Sequence, residues 1–143
     1  MKIYPYLYLV IPLIAWAIAQ SLKVVTDSVR HRHLDLARLG SSGGMPSSHT
    51  AMVGALTTLV GTHVGVRTAE FAISAIFSAV VMYDAAGVRR AVGIQARVLN
   101  RIVDDLLRQE GIKEDRLREL LGHTPFEVYA GALLGIGLAL VLG

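Results

Sequence analysis

A stretch of twenty residues without a single charge, 3–22, is the feature that most limits what this chain can fold into. At 1.5 Å per helical residue it matches the roughly 30 Å hydrocarbon core of a bilayer. Tyr4, Tyr6 and Tyr8 near its start suit an interfacial anchor, with Trp16 further in. Only Lys2 precedes it, and no clear small-residue cleavage site stands before Lys23, so it reads as a retained span rather than a leader. Three further apolar stretches follow, at about 50–66, 69–88 and 126–143. The first of these, 50–66, is short and rich in Gly and Thr. The last carries Gly131, Gly135 and Gly137, which include a Gly-x-x-x-Gly spacing suited to close helix packing in lipid. The expectation is an all-α, polytopic membrane helix bundle of about four spans, forming a single membrane-embedded domain over 1–143.

Composition agrees. The chain is 53% hydrophobic, and its 17% charged residues fall below the soluble norm of about 25%. Mean hydropathy is +0.52. There is no cysteine, which excludes disulfides, thiolate catalysis and cysteine metal sites. The net charge of +3 and pI near 9.5 do not point to nucleic acid, because the basic residues sit beside apolar spans, where anionic lipid headgroups lie.

Of 14 Lys and Arg, four fall in 23–48 and eight in 89–122, leaving only Lys2 and Arg67. Four spans put both rich segments on one side, and the positive-inside rule makes that side cytoplasmic. An integral protein of a bacterial inner membrane, with its site facing the cytoplasm, is the expectation. Residues 93–108 alternate Ile94, Val98, Ile102, Val103, Leu106 and Leu107 with Arg97, Arg101, Asp104 and Arg108, the pattern of an amphipathic helix continuing the third span. Residues 109–111 read as a break and 114–121 as a short charged helix.

The chemistry-bearing residues cluster in two segments on that side. One is Ser41-Ser42-Gly43-Gly44-Met45-Pro46-Ser47-Ser48-His49-Thr50; the other is Gly122-His123-Thr124-Pro125-Phe126-Glu127. Glycines, hydroxyls, proline and histidine at a helix start are the parts of an anion site, where backbone amides and the positive end of the helix dipole face the anion. His49 could protonate a leaving oxygen, or simply follow a helix cap. Thr124-x-x-Glu127 is a capping box with proline at the first helical position, a structural role sufficient in itself; the alternative has Glu127 orienting His123 as a nucleophile. Lys23, Arg30, Arg89 and Arg90 could together neutralise a phosphoryl group. Asp84, near the end of the third span, is costly there unless paired, and Arg89 or Arg90 could be its partner. Gln95 and Asn100 read as ordinary helix-surface residues, with lining the same site as the alternative.

These residues carry a resemblance. The chain resembles a divergent member of the type 2 phosphatidic acid phosphatase superfamily, which includes vanadium haloperoxidases. Lys23-x6-Arg30 matches the family's Lys-x6-Arg-Pro, with His31 at the proline. Pro46-Ser47-Ser48-His49 resembles Pro-Ser-Gly-His, with Ser48 at the glycine. His123 and Glu127 resemble the end of Ser-Arg-x5-His-x3-Asp, with Glu127 at the aspartate. The Ser-Arg pair is absent: Arg116 stands seven residues before His123, and Arg89 or Arg90 could substitute from another segment. The resemblance implies a lipid phosphate or diphosphate phosphatase. Phosphatidylglycerophosphate and isoprenyl diphosphates are candidate substrates by class. His123 would be the nucleophile, Glu127 its support and His49 the acid and base. Lys23, Arg30 and one of Arg89 or Arg90, with the amides near Ser47 and Ser48, would hold the phosphoryl oxygens. Asp84 lies outside the family pattern, and its position alone suggests pairing with or orienting one of those arginines. The resemblance implies no metal and no cofactor. The expected partners are the lipid phosphate and membrane lipids, not nucleic acid, with a homo-oligomer left open. A non-catalytic anion-binding or transport module is the alternative function, and a structural protein with helix-capping histidines is a third.

Overall fold

A computed structural model of the chain describes residues 4–31, 44–107 and 124–143. His123, Gly122, Arg116 and the segments 41–43, 109–111 and 114–121 lie outside them, as do the side chains of Arg30, His31, Arg89 and Arg90. The described residues are helical, with no strand among them: α1 (Leu7–His31), α2 (Ser48–His63), α3 (Ala69–Tyr83), a π-helical segment (Asp84–Val88), α4 (Arg89–Leu107) and α5 (Pro125–Leu142).

Three helical windows are long and apolar enough to cross a membrane: Leu7–Thr26, Ala69–Gly87 and Pro125–Leu142. The remaining expected span, at about 50–66, corresponds to α2, which is 16 residues. It is therefore about 24 Å long and stops short of a full hydrocarbon crossing. It is nevertheless the centre of the bundle, packed against α1, α3 and α5.

The packing rests on residues four apart. Ile11, Ala15 and Ala19 of α1 meet Ala51, Ala55 and Leu59 of α2 and Ala139 of α5 in one core. A Cβ on Gly131 would overlap the Ser47 carbonyl, and one on Gly135 would overlap the Ala51 carbonyl, whereas Gly137 faces open space. The Gly-x-x-x-Gly face is thus the α2–α5 seam, and i±4 rows of small residues let the two backbones touch. Lipid is as apolar as a core, so along this seam residue size, rather than polarity, decides which face turns inward.

The helices alternate in direction. Tyr8 lies edge-on to His63 with ring centroids 6.5 Å apart, and Gly143 lies against Leu59 and His63. At the opposite end, Thr26 reaches the Met45 carbonyl and Ser47 reaches Glu127. The carboxyl end of α1 and the amino ends of α2 and α5 therefore share one end of the bundle, as the charge count expects. Tyr4 and Tyr6 are exposed and stacked, with centroids 5.7 Å apart, but Tyr8 is partly buried against the bundle instead of serving as a free anchor.

Between α2 and α3 runs a polar seam. The Thr57 and Ser78 hydroxyls are 2.7 Å apart, Thr57 also donates to the Ser74 carbonyl at 3.1 Å, and Ser78 to the Val53 carbonyl at 3.1 Å. Interhelical hydrogen bonds in membranes average about 0.6 kcal/mol and reach about 1.7. Thr57→Val should lower stability by an amount in that range in reversible unfolding in micelles. Adding Ser78→Ala should then cost less than it does alone, because the partner hydroxyl is already gone. Additive losses would show that the two hydroxyls act separately.

Candidate functional site

Lys23 belongs to the α1 window that can cross the membrane, and it is 1% exposed. An ammonium there is costly unless it is hydrogen-bonded. Gln20, one turn earlier on the same face, accepts from Nζ at 2.8 Å and is itself buried. Arg30 lies two further turns along α1.

The segment leading into α2 is fixed from both sides. Gly44 takes a left-handed φ of 98°, which a side chain would resist. The Thr26 hydroxyl lies 3.1 Å from the Met45 carbonyl and 3.0 Å from that of Lys23, sharing one proton between them. The Ser47 amide donates to the Glu127 carbonyl at 3.1 Å. Ser47 occupies the N-cap position with extended backbone, yet its side chain does not cap; its Oγ accepts from Thr50 at 3.0 Å instead. Ser47, Ser48 and Thr50 are all buried, and the Ser48 hydroxyl has no hydrogen-bond partner among the described residues. The first-turn amides of Ser48, His49 and Thr50 have no carbonyl partner within the helix, and the helix dipole adds partial positive charge. His49 sits on that turn, partly buried.

The start of α5 completes this end. Thr124 Oγ1 accepts from the Glu127 amide at 3.4 Å, and Glu127 Oε2 accepts from the Thr124 amide at 2.8 Å, with proline at the helix start. The capping box expected from sequence is therefore present and engages one Glu127 oxygen. His123, the residue before Thr124, lies outside the described residues. Its neighbour is nonetheless held near Ser47 by the Ser47–Glu127 bond and by the packing of Gly131 on Ser47.

The π-helical segment opens at Asp84 and packs against α5. π segments occur often at functional positions, since the wider turn re-aims the residues around it. Arg89 and Arg90 follow it directly. Asn100, read from sequence as a surface residue, is buried, because it shares a helix face with Gly93 and Ala96; Gln95 is exposed. Among the described residues no group of three His, Cys, Asp or Glu could hold a metal ion.

Lys23, Ser47, Ser48, His49 and Glu127 thus come from three helices that meet at one end of the bundle. Sequence reasoning missed Gln20, Thr26 and Thr50, which support that end. Their signal was present: each is a polar residue at helical spacing, three positions from Lys23 or Ser47.

The chain matches the Divergent PAP2 family over residues 6–138. It is 46% identical over 135 residues to the "Uncharacterized membrane protein YuiD" of Bacillus subtilis (strain 168), an overlap of 87% of this chain and 85% of that protein. No solved structure matches it significantly. The match spans all three helices that build the Lys23–Ser47–Glu127 end, and with the helical membrane architecture it shows that this chain is a membrane protein belonging to the Divergent PAP2 family.

Proposed function

We propose that the protein is a membrane phosphatase that hydrolyses a lipid phosphate or diphosphate through a phosphohistidine. The observation that carries this reading is the hydrogen bond from the Ser47 amide to the Glu127 carbonyl, which joins the segment bearing His49 to the turn that follows His123. At the same end of the bundle, the buried Lys23, the Ser48 hydroxyl and the α2 amino end would offer positive charge and donors for phosphoryl oxygens.

In the proposed reaction a His123 ring nitrogen attacks phosphorus. The bond from phosphorus to the leaving oxygen breaks, and His49 gives that oxygen its proton. His49 then takes a proton from water, the water oxygen attacks the phosphohistidine, and inorganic phosphate leaves with His123 restored. Lys23, Arg30 and one of Arg89 or Arg90 hold the oxygens, with Asp84 positioning the arginine and Glu127 supporting the His123 ring. The density of basic residues at this end supports a cytoplasmic-facing site in a bacterial inner membrane.

One observation favours the second reading, a non-catalytic anion-binding or transport module: Glu127 spends one carboxylate oxygen on the helix cap. Lys23→Met separates the two. It keeps an unbranched stem one atom shorter and removes the charge. Phosphate release from lipid phosphates in detergent should fall about 10²–10³-fold, the cost of losing one donor to a developing charge. Vanadate, which mimics the transition state, should inhibit the unmodified protein and bind the variant more weakly. Anion binding without phosphate release by the unmodified protein would favour the binding module.

A further inference from the structure

We infer that α4 is a membrane-surface helix, lying along the lipid interface with one face in the acyl boundary and an arginine edge toward anionic headgroups. The helical run 69–107, interrupted by the π-helical segment Asp84–Val88, is about 58 Å long at the α-helical rise, nearly twice the hydrocarbon thickness of about 30 Å, and π segments are places where helices bend. Its spanning window ends at Gly87. Everything in α4 is therefore beyond the span, where a helix either projects into water or turns along the surface.

The faces of α4 decide between these. Gly93, Ala96 and Asn100 form a buried stripe, so this side already faces protein. Ile94, Val98, Leu99 and Ile102 lie on a different side and are 46%, 52%, 49% and 50% exposed. That exposure approaches that of the lipid-facing residues of α3, such as Phe77 at 53% and Val80 at 60%. In water, a cluster of four large apolar side chains would be a marked liability. Arg97 and Arg101 are exposed and sit one position before Val98 and Ile102, along one edge of the apolar face. Arg97 Nε reaches back to the Gly93 carbonyl at 3.4 Å, which lays its stem along the helix. An apolar face, a cationic edge and covalent continuity with a spanning helix together fit a bilayer surface. The charge complementarity selects anionic lipid, since α4 carries four arginines against Asp104 and Asp105. This inference concerns how the protein is seated and stands independently of the proposed catalysis.

The chain has no cysteine, so single cysteines report cleanly. Ile94→Cys, Val98→Cys and Ile102→Cys, with Arg101→Cys for comparison, would be spin-labelled in the full protein. The labelled proteins would be reconstituted in phosphatidylglycerol/phosphatidylcholine vesicles. Power saturation against oxygen and a water-soluble nickel chelate gives depth. Labels at 94, 98 and 102 should lie about 5–10 Å below the headgroup level, with the label at 101 at or above it. Arg97→Glu with Arg101→Glu should make the label at 98 shallower in anionic vesicles and leave it unchanged in pure phosphatidylcholine. Nickel accessibility at 94, 98 and 102 equal to that at 101 would overturn the inference in favour of a helix projecting into water. Inaccessibility to both reagents, with or without dipolar broadening, would overturn it in favour of cover by a second copy or by another part of the chain.

Discussion

Gly135→Val is expected to prevent stable assembly of the bundle. The first carbon of any side chain at position 135 would overlap the Ala51 carbonyl and lie 2.9 Å from the Ala55 amide nitrogen. Those are backbone atoms of the central helix, and they can move only by separating α2 from α5. Overpacking a close-packed interior costs about 1–3 kcal/mol where side chains can yield, and more where they cannot. Separation would also break the Ser47–Glu127 bond one end away, since both rest on the same pair of helices. Gly137→Val is the matched control: it adds the same bulk on the same helix, where nothing lies within 4 Å. The measurement is the yield of monodisperse protein in detergent and its thermal unfolding. Gly135→Val should fail both while Gly137→Val behaves as the unmodified chain. Equal behaviour of the two would mean that α2 and α5 do not meet along this seam.

That contrast also shows how much of the fold can be read from residues alone. Gly131, Gly135 and Gly137 announce a packing face, but spacing cannot say which of the three touches a neighbour. Two lie against α2 and the third faces outward. The capping box at Thr124 to Glu127 was fully legible because all its bonds are local, within one turn. The amphipathic continuation past the third span was legible for the same reason. What the sequence hid is non-local. Asn100 is buried together with Gly93 and Ala96 on one face of α4, and Tyr8 is partly buried with its ring edge-on to His63. The shortness of α2 was legible, but its place at the centre of the bundle was hidden, since an apolar run of Gly, Thr and Val looks the same whether it faces lipid or is sheathed by other helices. In water, polarity marks the outward face of a helix. Here α5 is apolar all round, and only the small residues mark its inward face.

For the site, the residue types and their shared end of the bundle were legible, and the contacts that fix them there were not. Lys23 could be read as a snorkelling lysine at a span end. Its burial beside Gln20 instead gives it a fixed inward place. Ser47 could be read as a simple N-cap, yet its amide and hydroxyl both serve contacts that hold the segment together. The π-helical turn at Asp84 has no sequence signature of comparable strength. The Ala-Ala-Gly that follows it permits such a turn without requiring it.

The largest effect on activity is expected from His123→Ala, which should abolish turnover while the protein stays folded in detergent. The capping box that starts α5 uses Thr124 and Glu127 and leaves the histidine out, so truncating it does not disturb the cap. If His123 is the nucleophile, no covalent intermediate can form without it. Incubation of the unmodified protein with a radiolabelled lipid phosphate, followed by rapid denaturation, should trap an acid-labile, alkali-stable phosphoenzyme that is missing in His123→Ala. His49→Ala should behave differently, because one imidazole serves as acid in the first step and base in the second. It should slow both formation and breakdown of the intermediate, each by about 10²–10⁴-fold, the usual contribution of a general acid or base. The pairing of the two variants matters more than either loss alone. A folded His123→Ala that still releases phosphate at the unmodified rate would falsify the phosphohistidine reading. The Thr124–Glu127 turn would then be a helix start and nothing more, and the amino end of α2 would be left with recognition of an anion as its proposed role rather than chemistry.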